Sequence, residues 1–232
     1  MGMIYFAHRG ASAQRVQNTL EAFALAKEQG ATHYELDVHL LKDGKLAVHH
    51  NYSLLETAGK DVALGDLTSA DLAKFPLINP FTQNKVAVPL LQEVLPIIAP
   101  GLQLLNIELK NDGNIYPGIE KELLDFLGKY PHLSIKILFS SFDYDSLMRL
   151  RSLQPQARIG LLTRQFDIEK VRALRAESVH INHIRFVPDM VRICHQHGIK
   201  LYCYTVNDKS LAAKLQAQGV DGIFTDQILL YR

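Results

Sequence analysis

The sequence contains only two cysteines, Cys194 and Cys203, among its 232 residues. Two cysteines cannot build a disulfide framework, and no further Cys or His cluster at zinc-like spacing surrounds them. No apolar run reaches the roughly 18 residues of a transmembrane helix. The first residues also lack the basic segment and long apolar stretch of a signal peptide. These absences predict buried thiols, no stable membrane anchor and a cytoplasmic location.

The sequence also has no excess of positive or of negative charge. Lys and Arg number 25 and Asp and Glu number 24, so the formal net charge is +1. A basic field that would attract nucleic acid is therefore lacking, and we expect a small-molecule partner and no nucleic acid. Low-complexity tracts and long Gly/Ser linkers are also missing. Since composition marks no boundary, we predict one domain over residues 1–232.

Eight short runs rich in apolar, β-branched or aromatic residues recur along the chain, and stretches of helical periodicity separate most of them. The runs are Met3–Ala7, His33–Val38, Leu104–Leu109, Ile135–Phe139, Ile159–Leu162, Ser178–Ile181, Leu201–Val206 and Gly222–Thr225. Strands that alternate with helices favour a parallel sheet, and eight such repeats favour closure of that sheet. The predicted fold class is therefore α/β, a (β/α)8 TIM barrel.

One interruption breaks this repeat after the second strand. Lys45–His50 resembles a short extra strand, and residues 51–88 are irregular apart from a brief helical stretch at Ser69–Lys74. An ordinary barrel loop spans only ~2–6 residues. We therefore predict a small insertion at residues 51–88 that caps the mouth of the barrel, with an elaborate structural loop as the alternative.

Acidic residues end two of the predicted strands. Residues i and i+2 of a strand point to the same side, so Glu35 and Asp37 share one side, and Glu108 and Lys110 repeat the pattern. Ionised groups at the mouth of a barrel are costly unless they are paired or bound to metal. Each acid alone is more typical of a solvated edge or an ion pair. Together, the three carboxylates predict a site for Mg²⁺ or Ca²⁺, with Mn²⁺ as a further candidate.

Two histidines, His8 and His50, follow apolar strand segments and are expected at the same rim. Histidine titrates near neutral pH, so one could accept a proton from a nucleophile while the other protonates a departing alkoxide. Arg9 could bind phosphate oxygens in bidentate fashion, and Lys110 adds a second cation. This combination suits cleavage of a phosphodiester. The alternative for either histidine alone is a strand cap or a packed wall position.

These segments together resemble the glycerophosphodiester phosphodiesterase family. The matching stretches run in order from the first strand to the last. They are Ala7-His8-Arg9-Gly10, Asn18-Thr19, Ala22-Phe23, Gly30, Glu35-Leu36-Asp37-Val38, Lys42-Asp43-Gly44, His50, Leu54, Ile107-Glu108-Leu109-Lys110, Ser140-Ser141-Phe142-Asp143, Thr205-Val206-Asn207 and Gly219-Val220-Asp221-Gly222-Ile223-Phe224-Thr225-Asp226. Because the motifs cover nearly the whole chain, their combination is far more specific than any one of them.

The resemblance implies a role for each of seven residues and a fold. It implies His8 and His50 as the acid/base pair, and a (β/α)8 barrel with an insertion after the second strand. It implies Glu35, Asp37 and Glu108 as the ligands of a divalent metal. It implies Arg9 and Lys110 as the cations that contact the phosphate. The implied activity is metal-dependent hydrolysis of a glycerophosphodiester to glycerol 3-phosphate and an alcohol.

Three positions depart from the usual pattern of the family. Gln17 and Asn51 stand where members usually have Glu and Asp, and Tyr204 stands where many have Trp. The two amides keep the size and hydrogen-bonding capacity of the acids but remove a negative charge each. We therefore expect a less acidic pocket, with a weaker metal affinity or a different preferred ion, and catalysis that survives.

Other polar residues near these motifs are expected to support the structure. His33, His39 and His49 are predicted to be surface or supporting residues. Asn207 and Asp226 are expected to cap helices, with contact to the substrate as the alternative. A serine nucleophile at Ser140-Ser141 is disfavoured because no Gly-x-Ser-x-Gly turn surrounds it.

Two alternative functions stay open at this point. One is a lysophospholipase D-like hydrolase, for which the insertion would have to expose an apolar patch. Its only candidates are Phe75, Leu77, Ile78 and Phe81, which we expect to pack onto the barrel. The other is a non-catalytic protein that binds a phosphate ligand. The sequence leaves open the preferred alcohol, the native metal, which histidine is acid and which base, and whether the protein is a monomer or a homodimer.

Overall fold

The structure is a computed structural model that describes residues 2–231. The strands are β1 (Ile4–His8), β2 (His33–Leu40), β3 (Leu46–Val48), β4 (Leu77–Ile78), β5 (Lys85–Val86), β6 (Leu104–Leu109), β7 (Ile137–Ser141), β8 (Ile159–Thr163), β9 (Ser178–Asn182), β10 (Lys200–Tyr204) and β11 (Gly222–Thr225). The helices are α1 (Leu20–Glu28), α2 (Leu55–Ala58), α3 (Leu91–Ile98), α4 (Ile119–Leu127), α5 (Tyr144–Leu153), α6 (Ile168–Ala173), α7 (Asp189–Gln196) and α8 (Lys209–Ala217).

Eight parallel strands close into a barrel, which confirms the predicted (β/α)8 fold. Around the barrel the order is β1, β2, β6, β7, β8, β9, β10 and β11, and β11 pairs again with β1. The first strand therefore lies between the second and the last, with Ala7 opposite both Tyr34 and Thr225. Because the strands are parallel, their carboxyl ends meet at one face, where the sites of such barrels lie.

Apolar side chains fill the inside of the barrel and the layer between strands and helices. Phe6, Leu138, Tyr202 and Phe224 belong to a buried inner cluster, in which the rings of Phe6 and Phe224 stack with centroids 4.7 Å apart. Alternation along β1 then places Ala7, the next residue, in the larger outer cluster that the helices cover.

Several predicted strand boundaries differ from the structure by one or two residues, and the clearest case is the start of β7. The expected strand Ile135–Phe139 begins at Ile137, because residues 135 and 136 end a 3-10 helix that starts at Pro131. Ile135 is 76% exposed. Although Ile135 is apolar, it therefore lies at the surface and not in the sheet.

The segment between β3 and α3 interrupts the barrel where the sequence predicted an insertion. It contains α2, the antiparallel pair β4 and β5, and a 3-10 helix at Ser69–Lys74, which matches the predicted helical stretch. Leu54, Leu64 and Leu72 pack in a separate buried cluster together with Val16 and Ala47 from outside the segment. A single domain over residues 1–232 stays a prediction.

The expected packing of the insertion's apolar residues is only partly right. Leu77 is 1% exposed, whereas Ile78 is 50% exposed and Phe81 is 52% exposed. Leu77 and Ile78 form a two-residue strand, so their side chains point to opposite sides. One of them therefore reaches the buried cluster while the other faces solvent.

None of the helices in the described residues combines the length and the apolar character that a membrane crossing requires.

Candidate active site

A cavity of about 370 Å³ opens at the carboxyl-terminal face of the barrel. Six of the seven predicted site residues line it, namely His8, Arg9, Glu35, His50, Glu108 and Lys110. The seventh, Asp37, is fully buried, but a carboxylate oxygen from each of the three acids lies within 4.8 Å of the others. The structure therefore brings all seven residues together.

His50 reaches this rim by a different route from the one expected. Strand β3 runs antiparallel to β2, with Val48 opposite Val38, so it leads the chain back toward the barrel. The backbone N–H of His49 then donates to the Asp37 carbonyl at 3.1 Å. This hairpin, rather than a parallel strand end, places His50 beside the acids.

The turn after β1 brings Arg9 close to helix α1. Arg9 and Gly10 both adopt left-handed backbone conformations, with φ values of 56° and 83°. A Cβ on Gly10 would lie 2.6 Å from the carbonyl carbon of Ala22, so only glycine permits this contact. The turn is therefore held directly against the helix, and the Arg9 side chain starts from a fixed position.

The three acids form a buried cluster that contains two cations. Glu35, Asp37 and Glu108 are 2%, 0% and 7% exposed. Lys110 Nζ lies 2.6 Å from Glu108 Oε1 and 3.1 Å from Asp37 Oδ1, and Arg9 Nε lies 3.1 Å from Asp37 Oδ2. Asp37 Oδ1 and Arg9 Nε are buried, yet neither makes a hydrogen bond of acceptable geometry among the described residues. The cluster thus holds three carboxylates against two cations.

Burial raises the pKa values of these three acids, whereas the neighbouring cations lower them. Burial, followed by the charge of Asp37, raises the pKa of Glu35 well above its usual value. Burial also raises the pKa of Glu108 to about 7, although Lys110 opposes the rise. At Asp37 the effect of burial is outweighed by Lys110 and then by Arg9, which hold its pKa below the usual value. At Glu35 and Glu108 the effect of burial therefore outweighs that of the neighbouring cations, and a divalent cation fits this donor set.

Gln17 fixes the guanidinium of Arg9. Arg9 Nη1 donates to Gln17 Oε1 at 2.6 Å, and the Arg9 backbone N–H donates to Glu35 Oε2 at 3.0 Å. The amide at position 17 thus keeps the hydrogen bond that a carboxylate could accept, without its charge. This is the local effect of the first departure from the usual family pattern.

A carboxylate at the end of the last strand fixes His8. His8 Nδ1 lies 2.7 Å from Asp226 Oδ1, and His8 Nε2 lies 4.0 Å from Glu35 Oε2. Burial, and then the charge of Arg9, lower the pKa of His8, while Asp226 opposes this change. Asp226 was expected to cap a helix or to touch substrate, so its contact with His8 was missed.

His50 has a different partner from His8. Its Nδ1 lies 2.5 Å from Asn51 Oδ1, and Asn51 Nδ2 donates to Glu56 Oε2 at 2.6 Å. Burial lowers the pKa of His50 to about 4, against the opposing charge of Asp37. Asn51 therefore holds His50 as a neutral partner. The negative charge lies on Glu56, the next residue in this chain of hydrogen bonds.

Other predicted supporting residues are buried. His39 and His49 are 0% and 1% exposed, so a surface position is wrong for both. Ser140 and Ser141 are fully buried, and neither hydrogen-bonds to a histidine among the described residues. Neither serine thus has a histidine partner within the described residues, and the absence of a serine nucleophile stays a prediction.

Two arginines on the far side of the cavity were not predicted. Arg164 directly follows β8, and Arg185 ends a short 3-10 helix after β9. The rule that found His8, a polar residue at the carboxyl end of a strand, could also have found Arg164. No sequence motif marks Arg185.

Comparisons with known proteins agree with this geometry. The sequence profile of the Glycerophosphoryl diester phosphodiesterase family matches residues 8–230. A glycerophosphodiester phosphodiesterase of Caldanaerobacter subterraneus subsp. tengcongensis is 35% identical over 231 residues, which cover 97% of this chain and 95% of the relative.

Solved structures show the same fold. An Oleispira antarctica phosphodiesterase in complex with the product sn-glycerol-3-phosphate superimposes with a TM-score of 0.91 at 28% identity, and the match covers 99% of this chain and 95% of the other. A glycerophosphodiester phosphodiesterase of Thermotoga maritima gives a TM-score of 0.81 at 30% identity, with 100% and 97% covered. From the profile match and the relative at 35% identity, this chain belongs to the glycerophosphoryl diester phosphodiesterase family.

Proposed function

We propose that this protein hydrolyses glycerophosphodiesters to glycerol 3-phosphate and an alcohol. The observation that carries the proposal is the meeting of two hydrogen-bonded histidines, two cations and three carboxylates around one cavity. The relatives named above support the same reaction. The substrate is then a small molecule. A cytoplasmic location and a monomeric or homodimeric state stay predictions from the sequence.

In this proposal, Glu35, Asp37 and Glu108 would hold a divalent cation. Their oxygens lie within 4.8 Å of one another, and carboxylate oxygens are the ligands that Mg²⁺, Ca²⁺ and Mn²⁺ prefer. When bound, the ion would offset negative charge on the phosphate and lower the pKa of an attacking hydroxyl or water.

Arg9 and Lys110 would bind the phosphate. Both line the cavity, and each already lies 3.1 Å from a carboxylate oxygen of Asp37. That shared partner orders the two cations before the substrate arrives, which lowers the entropic cost of binding. Both charges then face the group on which negative charge develops during the reaction.

The histidines would divide the proton transfers. His8 and His50 each use Nδ1 for a hydrogen bond, to Asp226 and Asn51 respectively. Within residues 2–231 the Nε2 of each ring makes no hydrogen bond, so it is the nitrogen that can exchange a proton with substrate or water. One histidine would accept the proton of the nucleophile, and the other would protonate the departing alkoxide.

The test is an assay of metal-stripped protein for release of glycerol 3-phosphate from glycerophosphocholine and glycerophosphoethanolamine, with Mg²⁺, Mn²⁺ or Ca²⁺ added back. We expect release that depends on the metal and is lost in His50→Ala. The matched control is His195→Ala, because His195 pairs with Asp221 outside the cavity and is 46% exposed. Failure of the wild type to hydrolyse either substrate with any of the ions would contradict the proposal.

One observation favours a second candidate, hydrolysis of a lipid with a single acyl chain. Ile78 and Phe81 are half exposed and line a second cavity of about 570 Å³, which His8 and Arg9 also line. An acyl chain could lie along these side chains. Release of choline from lysophosphatidylcholine, reduced in Phe81→Ser, would support this candidate, and hydrolysis of water-soluble diesters alone would exclude it.

A further inference from the structure

The cavity has a second positively charged end that the proposed reaction does not use. Arg164 and Arg185 line it, and both side chains are exposed at its rim. Among residues 2–231, neither guanidinium has a hydrogen bond or a carboxylate partner within 4.0 Å. Arg9 and Lys110, by contrast, are both paired with acids. Arg164 and Arg185 thus form a pair of unneutralised cations facing the substrate cavity.

An aromatic wall holds one of these arginines in place. The guanidinium carbon of Arg164 lies 4.8 Å from the ring centroid of Phe142, and Phe142 meets the ring of Tyr204 edge-on at 6.2 Å. A guanidinium stacked on an aromatic face keeps its N–H groups free at the edge. Phe142 and Tyr204 also line the cavity. The stack therefore presents free donors to a ligand instead of burying them.

The two ends of the cavity differ in their net charge. With a divalent ion bound, the three carboxylates and the cations Arg9 and Lys110 would leave one net positive charge. The single negative charge of a phosphodiester offsets it. Within residues 2–231 no carboxylate pairs with Arg164 or Arg185, which add two further positive charges. A ligand that fills the whole cavity would therefore bind best with additional negative charge at this second end.

We propose that Arg164 and Arg185 form a subsite for an anionic group, a phosphate or a carboxylate, on the alcohol portion of the substrate. The inference rests on the proposed function, because the glycerol portion carries no charge and only the alcohol can supply one. Preferred substrates are then glycerophosphodiesters whose alcohol is itself an anion. Diesters of cationic alcohols such as choline are disfavoured, since their ammonium group would face two guanidinium groups.

The test compares substrates that differ only in this group. The neutral probe is glycerophosphoglycerol, the two anionic probes carry a phosphate or a carboxylate at the far end of the same alcohol, and the cationic probe is glycerophosphocholine. Substrate loss is measured at low ionic strength. We expect kcat/KM for an anionic probe to exceed that for the neutral probe on the order of tenfold, the size of a charge-assisted contact. The ratio should fall as salt is added, because both arginines are exposed.

Variants then test whether Arg164 and Arg185 cause the preference for anionic probes. Arg164→Gln combined with Arg185→Gln should bring the ratio of anionic to neutral probe to about one, while Lys at both positions should keep part of it. The matched control is Arg172→Gln, an exposed arginine of α6 paired with Glu169 and absent from the cavity lining, which should leave the ratio as in wild type.

Three results would overturn the inference. They are a wild-type ratio near one, an unchanged ratio in the double Gln variant, and an equal loss on all four probes, which would place the arginines on the shared glycerol phosphate. Failure of the proposed function looks different, because the wild type would then hydrolyse no probe. In that event, calorimetry of the four probes with a His8→Ala/His50→Ala protein still measures the preference for the anionic ones, and equal affinities would refute it.

Discussion

Replacement of Asp226 by Asn tests the contact that holds His8. The change removes a negative charge 2.7 Å from His8 Nδ1 and keeps the size of the side chain. Asp226 also accepts hydrogen bonds from Ser12 Oγ at 2.8 Å and Asn207 Nδ2 at 2.6 Å, and an amide can retain only part of this set. We expect a large loss in kcat and a small change in KM, because Asp226 does not line the main cavity.

The magnitude follows from the geometry. Two unit charges about 4 Å apart interact by about 4 kcal/mol at an effective dielectric constant of about 20. The Asp226 side chain is 26% exposed, so solvent screening reduces the effect on the His8 imidazolium to about 2–3 kcal/mol. Since each 1.36 kcal/mol is about a factor of ten, kcat should fall roughly 30- to 150-fold.

The assay is steady-state hydrolysis of glycerophosphocholine at a temperature well below unfolding, which a denaturation curve of each variant establishes. Asp221→Asn is the matched control, because Asp221 pairs with His195 at 2.9 Å at the opposite end of β11 and outside the cavity. The reasoning is refuted if Asp226→Asn keeps kcat within twofold of the control, or if the loss is confined to KM.

The same variant assigns the role of His8. Asp226 favours the protonated ring, so its loss lowers the pKa of His8 further. If His8 is the base, the acid limb of kcat/KM against pH moves to lower pH, because the neutral form persists further into acid. If His8 is the acid, the alkaline limb moves to lower pH instead. A profile in which neither limb moves would show that His8 does not titrate in the reaction.

Three further predictions concern single positions. Burial lowers the pKa of His180 to about 3, well below the ~6.5 of an unfolded chain, so the folded state resists protonation and loses stability as pH falls below about 6.5. Urea unfolding of His180→Gln should therefore show about 2 kcal/mol less destabilisation between pH 7 and pH 5 than wild type, and an equal change would count against this account. Gly10→Ala should lower the free energy of unfolding by about 2–4 kcal/mol, because its Cβ would meet Ala22 at 2.6 Å in a left-handed turn; urea unfolding checks this, and a loss below 1 kcal/mol would contradict it. Asn51→Asp should raise the pKa of His50 from about 4, and the corresponding limb of the pH–rate profile should move to higher pH; an unmoved profile would disprove the electrostatic role of this position.

The barrel and the seven predicted residues could be found from the sequence because their signals are local. Most barrel strands are short runs followed by a helix, and Glu35, Asp37 and Glu108 lie within or at the end of such runs. The register then places His8 opposite Glu35, and Asp37 opposite Glu108. Alternation along the strand and a common carboxyl-terminal face were sufficient to predict their convergence.

The remaining features depend on contacts that no local pattern specifies. His8 and Asp226 are 218 residues apart, and only the pairing of β1 with β11 makes them neighbours. Arg185 carries no motif, so its place in the cavity became visible only once the strands were closed. In the insertion, the two-residue strand is too short for alternation to show in advance that Ile78 faces outward.

The closure of the barrel by its last strand also affects when the protein can first act during synthesis. β1 emerges from the ribosome long before β11, and until β11 has been made the carboxylate partner of His8 is missing. A nascent chain, or a fragment cut before β11, would contain His50 and all three acids but could not form the His8–Asp226 pair. The complete cluster of predicted site residues with its His8–Asp226 contact can therefore form only after translation has passed the last strand.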